Sequence, residues 1–155
     1  RPGSSDPGWR PEADDWFHGD GYSWGDNAGA QTTCFFYGSV DFAALAGATV
    51  TAFYVWLERA AYGGDPAAVL SRVSLHNHAT MPVGEPILGA STDSMSYARG
   101  TGLWAPLPTA WADALIAGDA QGLAWGGVAE RYCVAQHTDV GAIPQRLGDL
   151  SIVVA

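Results

Sequence analysis

The first residues that invite a chemical reading are His76 and His78, in the run LHNH; His18 and His137 are the other imidazoles of the chain. Imidazole binds zinc and moves protons near neutral pH. Two histidines at i and i+2 on a strand share a face, a geometry that can chelate. No Cys, Asp or Glu lies close in sequence to complete a ligand set, so an exposed strand end is the expected setting. The same triplet names a nuclease motif, but that motif requires a ββα–metal context and a basic DNA surface, and both are missing.

A second concentration of polar groups is Asp14, Asp15, Asp20, Asp26 and Asn27, hard oxygen donors in a Gly-rich stretch. Such a stretch can hold a structural calcium ion, with Asp20 and Asp26 as the candidate metal ligands. Their spacing does not fit the twelve-residue calcium loop, and a solvated acidic loop is the plainer expectation. Nucleophilic catalysis lacks a motif: there is no Gly-x-Ser-x-Gly, and Cys133 sits in an apolar run where a thiol is inert. Asp65, Glu85, Asp93 and Glu130 are scattered carboxylates that only a fold could pair for glycoside hydrolysis. The expectation is a protein that binds rather than one that catalyses.

Aromatic residues are the stronger lead. Trp and Tyr rings stack on the apolar C–H faces of sugars, while Asn and Asp bond the hydroxyls. Trp16, Tyr22, Trp24, Asp26 and Asn27 stand together in the polar N-terminal segment and, with His76 and His78, form the candidate ligand-binding set. The alternative for these rings is to cap an open end of the fold. Trp56 and Trp111 are expected in the core.

Composition narrows the partners. Hydrophobic residues make up 48% of 155, enough for a real core, whereas charged residues make up only 15%. The seven basic residues are all arginine, scattered from Arg1 to Arg146, against 16 acidic ones, a formal net charge of −9. Nucleic acid, held largely by neutralised phosphates, is excluded as a partner. No run of about 18 apolar residues is present, so membrane insertion is not expected. The chain opens on Arg1 with no apolar leader and reads as a piece of a longer protein. Cys34 and Cys133 either form one disulfide or lie reduced in the core; two cysteines are too few for a disulfide scaffold, which favours the reduced reading.

The elements that must position these groups are short strands. Residues 1–19 read as an extended arm or linker, and 20–155 as one β-sandwich domain. TTCFFYG, ATVTAFYVWLERAAY, AVLSRVSLHNH, GLAWGG, ERYCVAQH and LSIVVA carry β-branched and aromatic content between Gly and Pro punctuation. In the second of these, Val50, Ala52, Tyr54 and Trp56 share one face and Thr51, Phe53, Val55 and Leu57 the other. Both faces are apolar, as in a strand covered on both sides or one whose outer face meets a neighbour. In AVLSRVSLHNH, Val69, Ser71, Val73, Leu75 and Asn77 should face the core and Leu70, Arg72, Ser74 and His76 solvent. TMPVGEP is a connection, SMSYARGTGLWAPL one or two short strands, and PTAWADALIAG the one helix, around 108–117, with Gly118 closing it. The fold class is all-β: an antiparallel, jelly-roll-like β-sandwich with one short helix.

Three segments in order carry a family resemblance: Phe36, Tyr37 and Gly38 with Leu45, Ala46, Gly47, Thr49, Val50 and Thr51; then Thr80, Pro82, Gly84 and Pro86; then Leu107, Pro108, Trp111, Gly118, Gly122, Leu123 and Ala124. Over residues 20–155 the chain resembles a domain at the C-terminal end of minor tail proteins of actinobacterial phages. More distantly it is similar to DNRLRE-type β-sandwich modules of secreted and cell-surface proteins. The resemblance implies a tail-tip or fibre adhesin module of the virion, outside the host cell, that meets a host cell-envelope glycan or other surface receptor and assembles as a homotrimer. It also allows a purely structural tip or trimerisation module, and it supplies no catalytic motif. Trp9, Trp16, Trp24 and Trp125 fall outside the shared motifs and leave the ligand open.

Overall fold

The computed structural model describes residues 8–10, 15–17, 32–59, 67–98, 100–127 and 147–155. Among the described residues the architecture is all-β with one short α-helix. Strands β1 (Gly8–Arg10), β2 (Asp15–Phe17), β3 (Thr32–Phe36), β4 (Val50–Glu58), β5 (Val69–His76), β6 (Leu88–Ser91), β7 (Met95–Tyr97) and β8 (Gly102–Leu107) are followed by α1 (Thr109–Ala117), β9 (Gly122–Gly127) and β10 (Leu150–Val154). Two antiparallel sheets result. The larger runs β2-β1-β3-β9-β5-β6, with β7 also on β5; the smaller is β10-β4-β8. Residues 8–10 and 15–17, which the sequence suggests are part of an extended arm, form a hairpin that adds to β3.

Period-two alternation builds the core. From the small sheet come Phe53, Val55 and Leu57 of β4 and Ala105 and Leu107 of β8; from the large sheet come Phe35, Val73, Leu123, Trp125 and Tyr97. Tyr97 meets Trp125 edge to face at 5.2 Å, a favourable packing of two ring quadrupoles. Helix α1 inserts Trp111, Ala112 and Leu115 into the same core. Gly118 ends the helix at φ 81°, a left-handed conformation that suits glycine, and its N–H donates back to Leu115 O. Trp111 is buried, as its spacing suggests. Cys34 is also buried, while Cys133 lies outside the described residues.

Two polar staples tie the layers. The Tyr37 hydroxyl donates to Gly148 O at 2.7 Å, joining the turn after β3 to the turn before β10. Arg59, 1% exposed, donates from Nη1 to Ala67 O and Tyr97 O, both at 2.7 Å. A buried guanidinium needs such carbonyls in place of water.

Alternation also yields a clean test. Leu57 is fully buried and Leu70 is 50% exposed. Leu57→Ala should lower the unfolding free energy by about 2–5 kcal/mol and Leu70→Ala by less than about 0.5 kcal/mol, measured by urea denaturation followed through tryptophan fluorescence.

Candidate functional site

The histidine pair falls where sequence periodicity does not place it. Ser74 and His76 lie on the side of β5 opposite the core, yet Ser74 is 2% and His76 3% exposed, which corrects the expectation of a solvent-facing strand end. The Ser74 hydroxyl meets that of Ser91 on β6 at 2.8 Å. His76 sits opposite Gly122 of β9, which in turn sits opposite Phe36 of β3. Its ring crosses over Gly122 to reach the Phe35 carbonyl, with Nε2 at 3.1 Å from that oxygen. A Cβ on Gly122 would stand 2.1 Å from Phe35 O and 2.2 Å from His76 Cε1, so the crossing exists only because this residue has no side chain.

The rest of the pair's hydrogen bonds fix the ring state. His78 N–H donates to His76 Nδ1 at 3.2 Å, and Ile87 N–H donates to His78 Nε2 at 3.0 Å. His76 Nδ1 is thus an acceptor, so its proton resides on Nε2 and points at Phe35 O. Burial, reinforced by the neighbouring His78 and partly opposed by the bond to Phe35, lowers the His76 pKa from 6.5 to about 4. Three strands and the 78–87 connection are therefore held by a neutral imidazole and its neighbour. The arrangement engages both ring nitrogens of His76 and Nε2 of His78 with backbone groups, and among the described residues no cluster of three or more His, Cys, Asp or Glu is poised for a metal ion.

Trp16 lies by its backbone in β2, opposite Trp9. Tyr22, Trp24, Asp20, Asp26 and Asn27, the remaining sequence candidates for ligand and calcium, lie outside the described residues. A shallow groove of about 290 Å³ opens between α1 and the turn after β3, lined by Val40, Phe42, Leu115, Ile116 and Gln121 among others. Its lining carries no acid, base or nucleophile beyond the Tyr37 hydroxyl, which is committed to Gly148 O.

Among the described residues, aromatic side chains gather on the outer face of the small sheet. Because Phe53, Val55 and Leu57 point inward, Tyr54, Trp56 and Glu58 point outward, and because Ala105 and Leu107 point inward, Trp104 and Pro106 point outward. Register then pairs Trp56 with Trp104, Tyr54 with Pro106 and Glu58 with Gly102. The Trp rings stand 5.5 Å apart at 67°. Trp104 is 38% exposed; Trp56 is half-buried rather than core, a correction to the sequence expectation. Its ring lies over Gly102, where an added Cβ would come within 2.5 Å of Cζ2. Its Nε1–H donates to Glu58 Oε2 at 3.3 Å. Ring position is thus set from below by the missing Gly102 side chain and at one edge by a carboxylate. The sequence signal was present in GLWAPL, where placing Ala105 and Leu107 in the core forces Trp104 out.

The histidine geometry has a signed pH consequence. Above pH 6.5 the ring is neutral in both folded and unfolded chains and its contribution is intact; as pH falls from 6.5 toward 4 the unfolded chain gains a proton that the folded ring refuses. Stability should drop by about 3 kcal/mol across that window, a loss absent from His76→Gln when urea midpoints are compared at the two ends. Gly122→Ala should cost more than about 3 kcal/mol or prevent folding. By contrast Gly89→Ala, where a Cβ would meet Leu75 O at an ordinary 3.5 Å, should fold normally by circular dichroism.

Compared with known proteins, the chain matches no family model, no curated protein and no solved structure.

Proposed function

We propose that this chain is a recognition domain of a phage tail that attaches the virion to the host cell surface by binding an envelope glycan. The carrying observation is the outward aromatic face of the small sheet, where exposed Trp104 and Pro106 stand beside half-buried Trp56 and Tyr54. Aromatic rings offer sugars a flat apolar surface for their C–H faces, and a rigid ring loses little conformational entropy on contact. Glu58 at the edge of that face supplies an acceptor for hydroxyls. The tail assignment rests on the resemblance of the three ordered segments to minor tail proteins, and the binding assignment rests on the face.

A reading as binder rather than enzyme is supported by the commitment of His76 and His78 to backbone groups. One observation favours a second reading, a structural module of the fibre that packs copies together: the same face adds exposed Val153 of β10 to Trp104, and apolar surface of this kind also seals subunits.

The two readings diverge on cells. The fluorescently labelled chain should stain at least one member of a panel of actinobacterial cells. Trp104→Ala should weaken that staining about tenfold, or 1.4 kcal/mol, with an unchanged melting temperature. Staining lost in Trp24→Ala but retained in Trp104→Ala would relocate the site to the Gly-rich N-terminal segment. A chain that stains no cell would leave the structural module standing.

A further inference from the structure

The charge and shape of the aromatic face narrow the ligand beyond "glycan", an inference that rests on the recognition reading above. Glu58 is the one charged side chain on the outer face of β4, β8 and β10 among the described residues; the other members are aromatic, proline, aliphatic (Val153 among them), small or hydroxyl-bearing. Anionic sugars are usually gripped by Arg or Lys, often in bidentate pairs. Here a phosphate, sulfate or uronate would meet a carboxylate instead, on a chain whose formal net charge is −9. Within a Debye length of about 8 Å at physiological salt, that carboxylate repels an anion that lies on the neighbouring rings.

Shape argues for a chain rather than a terminal sugar. The face is an open sheet surface, not a pocket that encloses a ring. It presents two cross-strand rows, Trp56 with Trp104 and Tyr54 with Pro106, separated along the strand by two residues, about 7 Å. Successive sugar units of one polymer can lie over successive rows. The rows are rigid before contact: Trp56 rests on Gly102 and is held at Nε1 by Glu58, and Trp104 stands edge-on to it. A preorganised apolar platform with a single acceptor at its edge suits sugar rings that offer C–H faces to the indoles and neutral hydroxyls to the carboxylate.

We infer that the outer face of β10-β4-β8 takes a neutral polysaccharide chain, laid across the Trp56–Trp104 and Tyr54–Pro106 rows with Glu58 accepting from ring hydroxyls. Contact through apolar faces makes the binding insensitive to salt. Gly102 is a positioning residue, because any side chain there lifts the Trp56 ring off the sheet.

The test starts from cells that the labelled chain stains. Their envelope polysaccharide is separated by anion exchange into a neutral flow-through and an acidic retained fraction, and each is used as a competitor. The neutral fraction should abolish staining, and staining should persist within twofold at about 0.5 M sodium chloride, where ion pairing is screened. Gly102→Ala and Trp104→Ala should each weaken staining about tenfold, and Glu58→Gln, which keeps an acceptor oxygen, should weaken it less than Glu58→Ala. Competition by the acidic fraction alone, or by neither fraction, overturns the neutral-chain inference while leaving surface recognition intact. Failure to stain any cell removes the recognition reading and this inference with it. Sedimentation velocity covers the remaining occupant: a dimer that Trp104→Ala converts to monomer would assign the face to a second copy of the chain and overturn the proposal.

Discussion

The strand β4 is where the interior and the aromatic outer face are decided together. Side chains on a strand alternate strictly between faces, so burying Phe53, Val55 and Leu57 at 1% exposure or less commits Tyr54, Trp56 and Glu58 to the outside. The backbone ladder to β8 then fixes which residues stand beside them. Sliding β8 by one residue would carry Trp104 into the core and Ala105 out of it, so the hydrophobic interior enforces the aromatic exterior. A surface built this way is as rigid as the core behind it, which is what the proposed binding face requires.

Two glycines perform a related service, one in each sheet. Gly102 leaves room for the Trp56 ring above β8, and Gly122 leaves room for the His76 ring above β9. In each case a large planar side chain from one strand lies over a glycine of its neighbour; the indole is held by Glu58 of its own strand, whereas the imidazole reaches across to Phe35 O of the next strand. The absence of a side chain on one strand thereby becomes a fixed orientation on the next. The difference lies in burial. Trp56 stays partly in solvent and its ring can meet a ligand, whereas His76 is sealed in, with its charge suppressed, and acts as a joint between β3, β5 and β9.

Polar staples complete the picture by linking segments that the sheets leave separate. Tyr37 reaches Gly148 across 111 residues of sequence, and Arg59 gathers the carbonyls of Ala67 and Tyr97. These bonds sit in surroundings of low dielectric, where a lost partner is expensive. They hold the turns at the sheet ends in register with the core.

What the sequence determined by itself was local: the strand content of 32–36, 50–58, 69–76, 122–127 and 150–154, the helix begun after Pro108 and closed by Gly118, the shared face of Phe53, Val55 and Leu57, the inward side of Val73, and the burial of Trp111. Each follows from alternation, propensity and capping, which act over a few residues; which face of β4 turns inward was left open. What only the tertiary structure decided was the fate of side chains on the faces opposite the core. Ser74 and His76 became buried because β6 and β3 supply a hydroxyl and a carbonyl there. Trp56 stayed outside because no layer covers the outer face of the small sheet among the described residues. Its neighbour Trp104 arrived from 48 positions away through strand pairing. Periodicity tells which residues share a face, but whether that face meets water, a neighbouring strand or a ligand depends on contacts between segments far apart in sequence, and no local pattern encodes them.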